Sequence, residues 1–125
     1  AGPAAGIITV CGCGGDRDHG KRPMMAAEAA ARSTHLIITS DNPRSEDPAA
    51  IAADMLTGLD DDARTRCEVV LDRAEAISRA IAAAQPGEVV LIAGKGHEDY
   101  QIIGSERRHF DDREQVAGAL REKSL

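Results

Sequence analysis

Three polar segments of this 125-residue chain, two of them glycine-bearing, carry residue types able to grip a small charged ligand. Residues 12–23 read Gly-Cys-Gly-Gly-Asp-Arg-Asp-His-Gly-Lys-Arg-Pro, residues 41–44 read Asp-Asn-Pro-Arg, and residues 94–99 read Gly-Lys-Gly-His-Glu-Asp. An arginine fork holds a carboxylate through two parallel hydrogen bonds, which the point charge of lysine cannot copy. Aspartate, asparagine and glutamate oxygens accept from an ammonium group. Together these types suit a zwitterion or a phosphate.

Each segment also admits a plainer reading. In the first, Gly15-x-x-x-x-Gly20-Lys21 approaches a phosphate-binding loop, but Arg22 stands where Ser or Thr would ligate magnesium. Pro23 removes a backbone N–H from the helix start that would otherwise hold phosphate. The alternative is a glycine turn capped by solvated charges, although the five charged residues within 16–22 exceed what a turn requires. In the second, Pro43 fixes its own φ and biases Asn42 toward extended backbone, so Arg44 is held at a set distance from the preceding run. An Asx-turn with a surface arginine accounts for the same four residues. In the third, Gly94 and Gly96 let backbone approach a ligand, Glu98 pairs with an ammonium, and His97 serves as a scaffold residue rather than a general base.

Composition excludes several functional classes. The formal net charge of −6 argues against wrapping nucleic acid. One Tyr, one Phe and no Trp leave little to stack on bases or sugars. No apolar stretch is long enough to cross a bilayer and no signal peptide opens the chain, so a cytoplasmic domain without membrane or nucleic-acid partners is expected. Cys11, Cys13 and Cys67 lack framework spacing; a Cys11-x-Cys13 metal pair has no second pair beside it, and packed free thiols are expected.

The positioning elements follow from hydrophobic period. Apolar runs at 6–11, 35–39, 67–71 and 88–93 predict strands, the last of them central. Alanine-rich residues 24–32 after Pro23, residues 49–59 after Asp47-Pro48, and a stretch from Asp72 to about residue 84 predict helices. Segments 100–103 and 107–110, split by Gly104-Ser105, predict an edge hairpin, and Asp112 with Gln115 caps a last helix. The acidic turn 60–62 reads as a solvated loop. This order implies an α/β fold: one domain over residues 1–125, a mainly parallel sheet with helices on both faces and an edge hairpin near the C-terminus. All three polar segments then leave from the carboxyl edge of the sheet, where open α/β sheets bind ligands.

Taken jointly, and with Ser45-Glu46-Asp47-Pro48 and Phe110-Asp111-Asp112-Arg113-Glu114, the three segments resemble the C-terminal domain of the Mur ligases from about Ile7 to about Arg121. His19 departs from the pattern, standing where lysine is expected. The resemblance implies a Rossmann-like domain that receives the incoming amino acid in an ATP-dependent amide-forming ligase of peptidoglycan synthesis. The Asp-Asn-Pro-Arg motif is associated there with meso-diaminopimelate rather than lysine. Carried over by position, the amino-acid pocket comprises Arg17, Asp41, Asn42, Arg44, Gly94 and Glu98. Lys21 and Arg22 stand as phosphate contacts, with no metal ligand and no catalytic residue assigned. ATP, Mg2+ and the UDP-MurNAc-dipeptide would be held by central and N-terminal domains that this chain has no room for, leaving it inactive alone. The rival readings are a free-standing amino-acid or nucleotide-binding module and, within the family, a lysine-adding ligase.

Overall fold

Apolar runs without polar alternation suit strands buried on both faces, and the chain uses two of its four in that way. The computed structural model describes residues 6–15, 19–93, 100–103 and 106–124. Strands β1 (Ile7–Cys11), β2 (His35–Ile38), β3 (Cys67–Val69) and β4 (Val89–Ile92) form one parallel sheet in the order β3-β2-β1-β4. Helices α1 (Lys21–Ala31), α2 (Pro48–Leu56), α3 (Asp61–Thr65), α4 (Arg73–Ala83) and α5 (Asp112–Ser124) complete it, and β5 (Tyr100–Ile103) pairs antiparallel with β6 (Glu106–His109).

Successive side chains of β1 and β2 divide between two cores. Cys11, Leu36 and Ile38 pack with Ala26, Ala30, Ile51 and Met55 of α1 and α2. Ile8, Val10 and Ile37 pack with Ala76, Ile77, Ala80 and Ile81 of α4, with Phe110 and with Ala119 of α5. The α/β architecture with helices on both faces is as the element order implies.

Four details differ from expectation. β4 is an edge strand of this sheet rather than a central one; an all-apolar run does not distinguish the two, and Val89 and Leu91 remain about half exposed (54% and 51%). The hairpin forms a two-stranded sheet of its own. The acidic turn starts a helix: the Asp60 side chain accepts from Ala63 N at 2.8 Å, and Asp61 and Asp62 occupy the first turn, where the helix dipole favours negative charge. The last helix is capped by Asp111, which accepts from Arg113 N at 2.8 Å, and not by Asp112. Asp47 and Asp72 cap α2 and α4 as expected, and Pro23 falls in the first turn of a helix that begins at Lys21.

Candidate amino-acid site at the carboxyl edge of the sheet

The loop after β2 carries the sharpest geometry. Four successive carbonyls accept hydrogen bonds: Ser40 from Arg73 Nη1 (3.2 Å), Asp41 from Gln101 Nε2 (2.9 Å), Asn42 from Gly15 N (2.7 Å) and Pro43 from Glu46 N (3.0 Å). Asp41 and Asn42 are 9% and 2% exposed, so this loop is set into the molecule and not draped over it. Arg44 has φ 52°, the left-handed region that a bulky side chain rarely adopts. Backbone strain of that kind concentrates at ligand clamps. Both of its backbone contacts, to the Gly15 carbonyl at 3.1 Å and the Asn42 carbonyl at 3.4 Å, use Nη1. One edge of the guanidinium is thus anchored on the first glycine loop.

The two loops touch backbone to backbone. A Cβ on Gly15 would run into the Pro43 carbonyl oxygen, so glycine is needed for that approach. The structure therefore brings Asp41, Asn42 and Arg44 together with the first loop. Arg17, Gly94 and Glu98 lie outside the described residues.

Lys21 and Arg22 diverge. Lys21 is exposed, whereas Arg22 is 2% exposed. Arg22 Nη2 donates to Glu46 Oε2 at 2.7 Å and to the Gly14 carbonyl at 3.1 Å, and its Nη1 donates to Asp54 Oδ2 at 2.8 Å. The Glu46 hydrogen bond raises the pKa of Arg22 further above its usual value. Two carboxylates and a carbonyl thus hold its terminal nitrogens, tying loop one to α2 and to the residues after Arg44. As described, this guanidinium is committed to scaffold and offers little to a phosphate.

The thiols are packed. Burial, with Cys13 and Cys67 nearby, pushes Cys11 up to about 12, and burial raises Cys13 as well, so neither is a nucleophile at neutral pH. No cluster of three His, Cys, Asp or Glu suited to a metal occurs among the described residues.

Sequence reasoning gave no role to Arg73 and Gln101, read Asp112 only as a helix cap and took Glu46 only as part of a motif. Arg73 Nε and Nη2 grip Asp112 Oδ1 and Oδ2, both at 2.7 Å, and Nη2 reaches the Ala93 carbonyl at 3.1 Å. These partners are far apart in the chain, and no local pattern announces them.

Residues 1–96 match a family profile described as Mur ligase, glutamate ligase domain. The chain belongs to the Mur ligase family. It is 62% identical over 115 residues to a UDP-N-acetylmuramoyl-L-alanyl-D-glutamate–2,6-diaminopimelate ligase of Synechococcus sp. (strain WH7803), covering 92% of this chain and 23% of the relative. The ligase of that name from Bacillus cereus (strain ATCC 14579) is 54% identical over 114 residues, 91% of this chain and 23% of its own. A solved structure of a ligase of that name superposes with a TM-score of 0.90 at 47% identity, covering 96% of this chain and 24% of that one. The chain thus spans about a quarter of the length of these Mur ligases. Its fold is the Rossmann-like C-terminal domain of the family.

Proposed function

We propose that this Mur ligase domain receives meso-diaminopimelate for an ATP-dependent ligase that joins it to UDP-MurNAc-L-Ala-D-Glu in cytoplasmic peptidoglycan synthesis. The observation that carries the reading is the Asp41–Arg44 loop: the carbonyls of Asp41, Asn42 and Pro43 each accept a hydrogen bond, and Arg44 is held in a strained conformation with Nη1 anchored on Gly15. Meso-diaminopimelate differs from lysine by a carboxylate at the far end, and an arginine fork is the side chain suited to it. The names of the relatives support the same substrate.

In this reading Arg44 and Arg17 hold carboxylate, while Asp41, Asn42, Gly94 and Glu98 receive ammonium and orient the amine. That amine attacks the carbonyl carbon of an acyl phosphate made from the dipeptide carboxylate and ATP; the C–N bond forms, phosphate leaves and the amine loses a proton. The domain contributes binding and orientation, which convert an encounter into a near-attack arrangement. Mg2+ would supply charge neutralisation on the triphosphate, and ATP, Mg2+ and the UDP-sugar are assigned to further portions of a longer polypeptide. Among phosphate contacts the reading retains exposed Lys21 and assigns Arg22 to the scaffold.

Titration of the chain with meso-diaminopimelate, L-lysine and ATP, followed by amide NMR, tests the assignment. Shifts at Asn42 and Arg44 with diaminopimelate alone are expected, at an affinity of about millimolar (near −4 kcal/mol). Equal response to lysine overturns the fork argument. A response to ATP alone, around Gly15 to Arg22, favours the nucleotide-binding rival. Silence toward diaminopimelate overturns a pocket built by this chain.

A further inference from the structure

We propose that Arg73 and Gln101 are positioning residues for amino-acid recognition, acting through backbone carbonyls at the entry to the Asp41–Arg44 loop and, for Arg73, at the end of β4. Two consecutive peptide planes at Asp41 are held from outside the loop. The Ser40 carbonyl belongs to the plane before the Asp41 Cα, and the Asp41 carbonyl belongs to the plane after it. Arg73 Nη1 holds the first at 3.2 Å and Gln101 Nε2 holds the second at 2.9 Å. With both planes held, φ and ψ of Asp41 are fixed, and so is the direction of its Cα–Cβ bond. The next plane is held by Gly15 N on the Asn42 carbonyl, which carries the same constraint forward to Asn42.

Neither donor belongs to the loop or its neighbours in sequence. Arg73 begins α4 and Gln101 sits on β5, 33 and 60 residues from their acceptors. Both are buried, at 1% and 3% exposure, so their bonds are shielded from water. Arg73 is itself pre-set by the two-point grip on Asp112, which removes its rotamer freedom before it reaches Ser40. Its Nη2 also holds the Ala93 carbonyl, immediately before the third glycine segment. One guanidinium therefore holds a carbonyl just past the end of β2 and another just past the end of β4. A misplacement of about 1 Å in such a site lowers productive binding by up to roughly 100-fold.

The inference rests on the diaminopimelate reading, and the test separates the two. The 125-residue chain carrying Gln101→Met, and separately Arg73→Lys, is titrated with meso-diaminopimelate and L-lysine, with a thermal melt of each. Methionine keeps the volume of Gln101 without its donor. Lysine keeps the charge of Arg73 but has three N–H donors on one nitrogen for the four acceptor atoms that the guanidinium serves. Expected for Gln101→Met is a melt close to that of the parent, amide shifts in the free chain confined to residues 40–44 and the immediate neighbours of residue 101, and diaminopimelate affinity lowered roughly tenfold or more, so that its preference over lysine collapses. Arg73→Lys moves the same way with a lower melt. Parent-like affinity and preference in both variants overturn the inference while leaving the diaminopimelate reading intact. A loss that merely tracks the unfolded fraction, equal for both ligands, assigns the two side chains to stability and overturns it too. A parent chain that does not respond to diaminopimelate overturns both readings together.

Discussion

At the scale of single residues, Arg44 is where chemistry and strain coincide. It spends Nη1 on the Gly15 and Asn42 carbonyls and adopts φ 52°, which lysine or methionine would have to adopt as well, without the fork in return. Replacing Arg44 by Met removes a charge-assisted hydrogen-bond donor, worth about 2–3 kcal/mol at a half-buried site, or roughly 30- to 150-fold in diaminopimelate affinity. Lysine affinity is expected to change less than threefold, because lysine offers no second carboxylate to lose, and calorimetric titration of both ligands checks the ratio. Asp111 makes a separate statement at this scale. The Arg113 side chain, bonded at 3.0 and 2.8 Å, and the Arg113 backbone N–H hold its carboxyl down at about 2, below its ordinary 3.8. A carboxyl whose folded value is depressed contributes stability that is present above the ordinary value and lost as pH falls toward the folded one. Thermal melts should therefore decline between about pH 4 and pH 2, and Asp111→Asn, which still caps α5, should flatten that part of the decline.

At the scale of elements, the contact between the first two loops is the most sensitive joint. Gly15 gives its N–H to the Asn42 carbonyl and lies so close to Pro43 that a methyl group meets the Pro43 oxygen. Gly15→Ala must separate the loops, destabilising the chain by about 1–3 kcal/mol, and diaminopimelate binding should fall further than the melt indicates because Arg44 loses its anchor. NMR titration beside a denaturant melt distinguishes the two effects. The elements themselves were mostly legible: β1, β2 and the caps at Asp47 and Asp72 declare themselves through apolar runs and short acceptors before helices. The same signals misplaced β4, because its continuous apolar run says that a strand forms and not how many neighbours it finds. They also shifted the α5 cap by one residue. Asp111 and Asp112 are adjacent and chemically alike, and only the remote demand of Arg73 assigns Asp112 elsewhere. In the candidate site, the grouping of Asp41, Asn42 and Arg44 in one stiff loop was readable because an Asn-Pro step is a local feature. The supports supplied by Arg73, Gln101 and Glu46 were not, since each is a contact across tens of residues.

At the scale of the whole molecule, the Arg73–Asp112 pair fixes the ends of elements that share the second core. Arg73 starts α4 and Asp112 starts α5, and through Ser40 and Ala93 the same guanidinium reaches the carboxyl ends of β2 and β4. The sheet's apolar packing holds the helices against its face, but the hydrophobic effect is non-directional and does not decide where strand ends stop relative to helix starts. Directional bonds do, and this buried arginine makes four. Replacing Arg73 by Met leaves Asp112, whose side chain is 16% exposed, without its partner, and leaves two carbonyls without a donor; a loss of about 3–5 kcal/mol is expected. Adding Asp112→Leu removes the stranded charge and should restore part of that loss, since an apolar pair of similar size often matches a buried ion pair. It cannot restore the donors to Ser40 and Ala93, so the double variant should fold yet bind diaminopimelate as poorly as the single one. A denaturant double-mutant cycle set beside diaminopimelate titrations reads the two quantities separately. Recovery of stability without recovery of affinity means the pair sets the site's geometry; recovery of both means it is a fastening whose replacement by apolar packing the site does not notice.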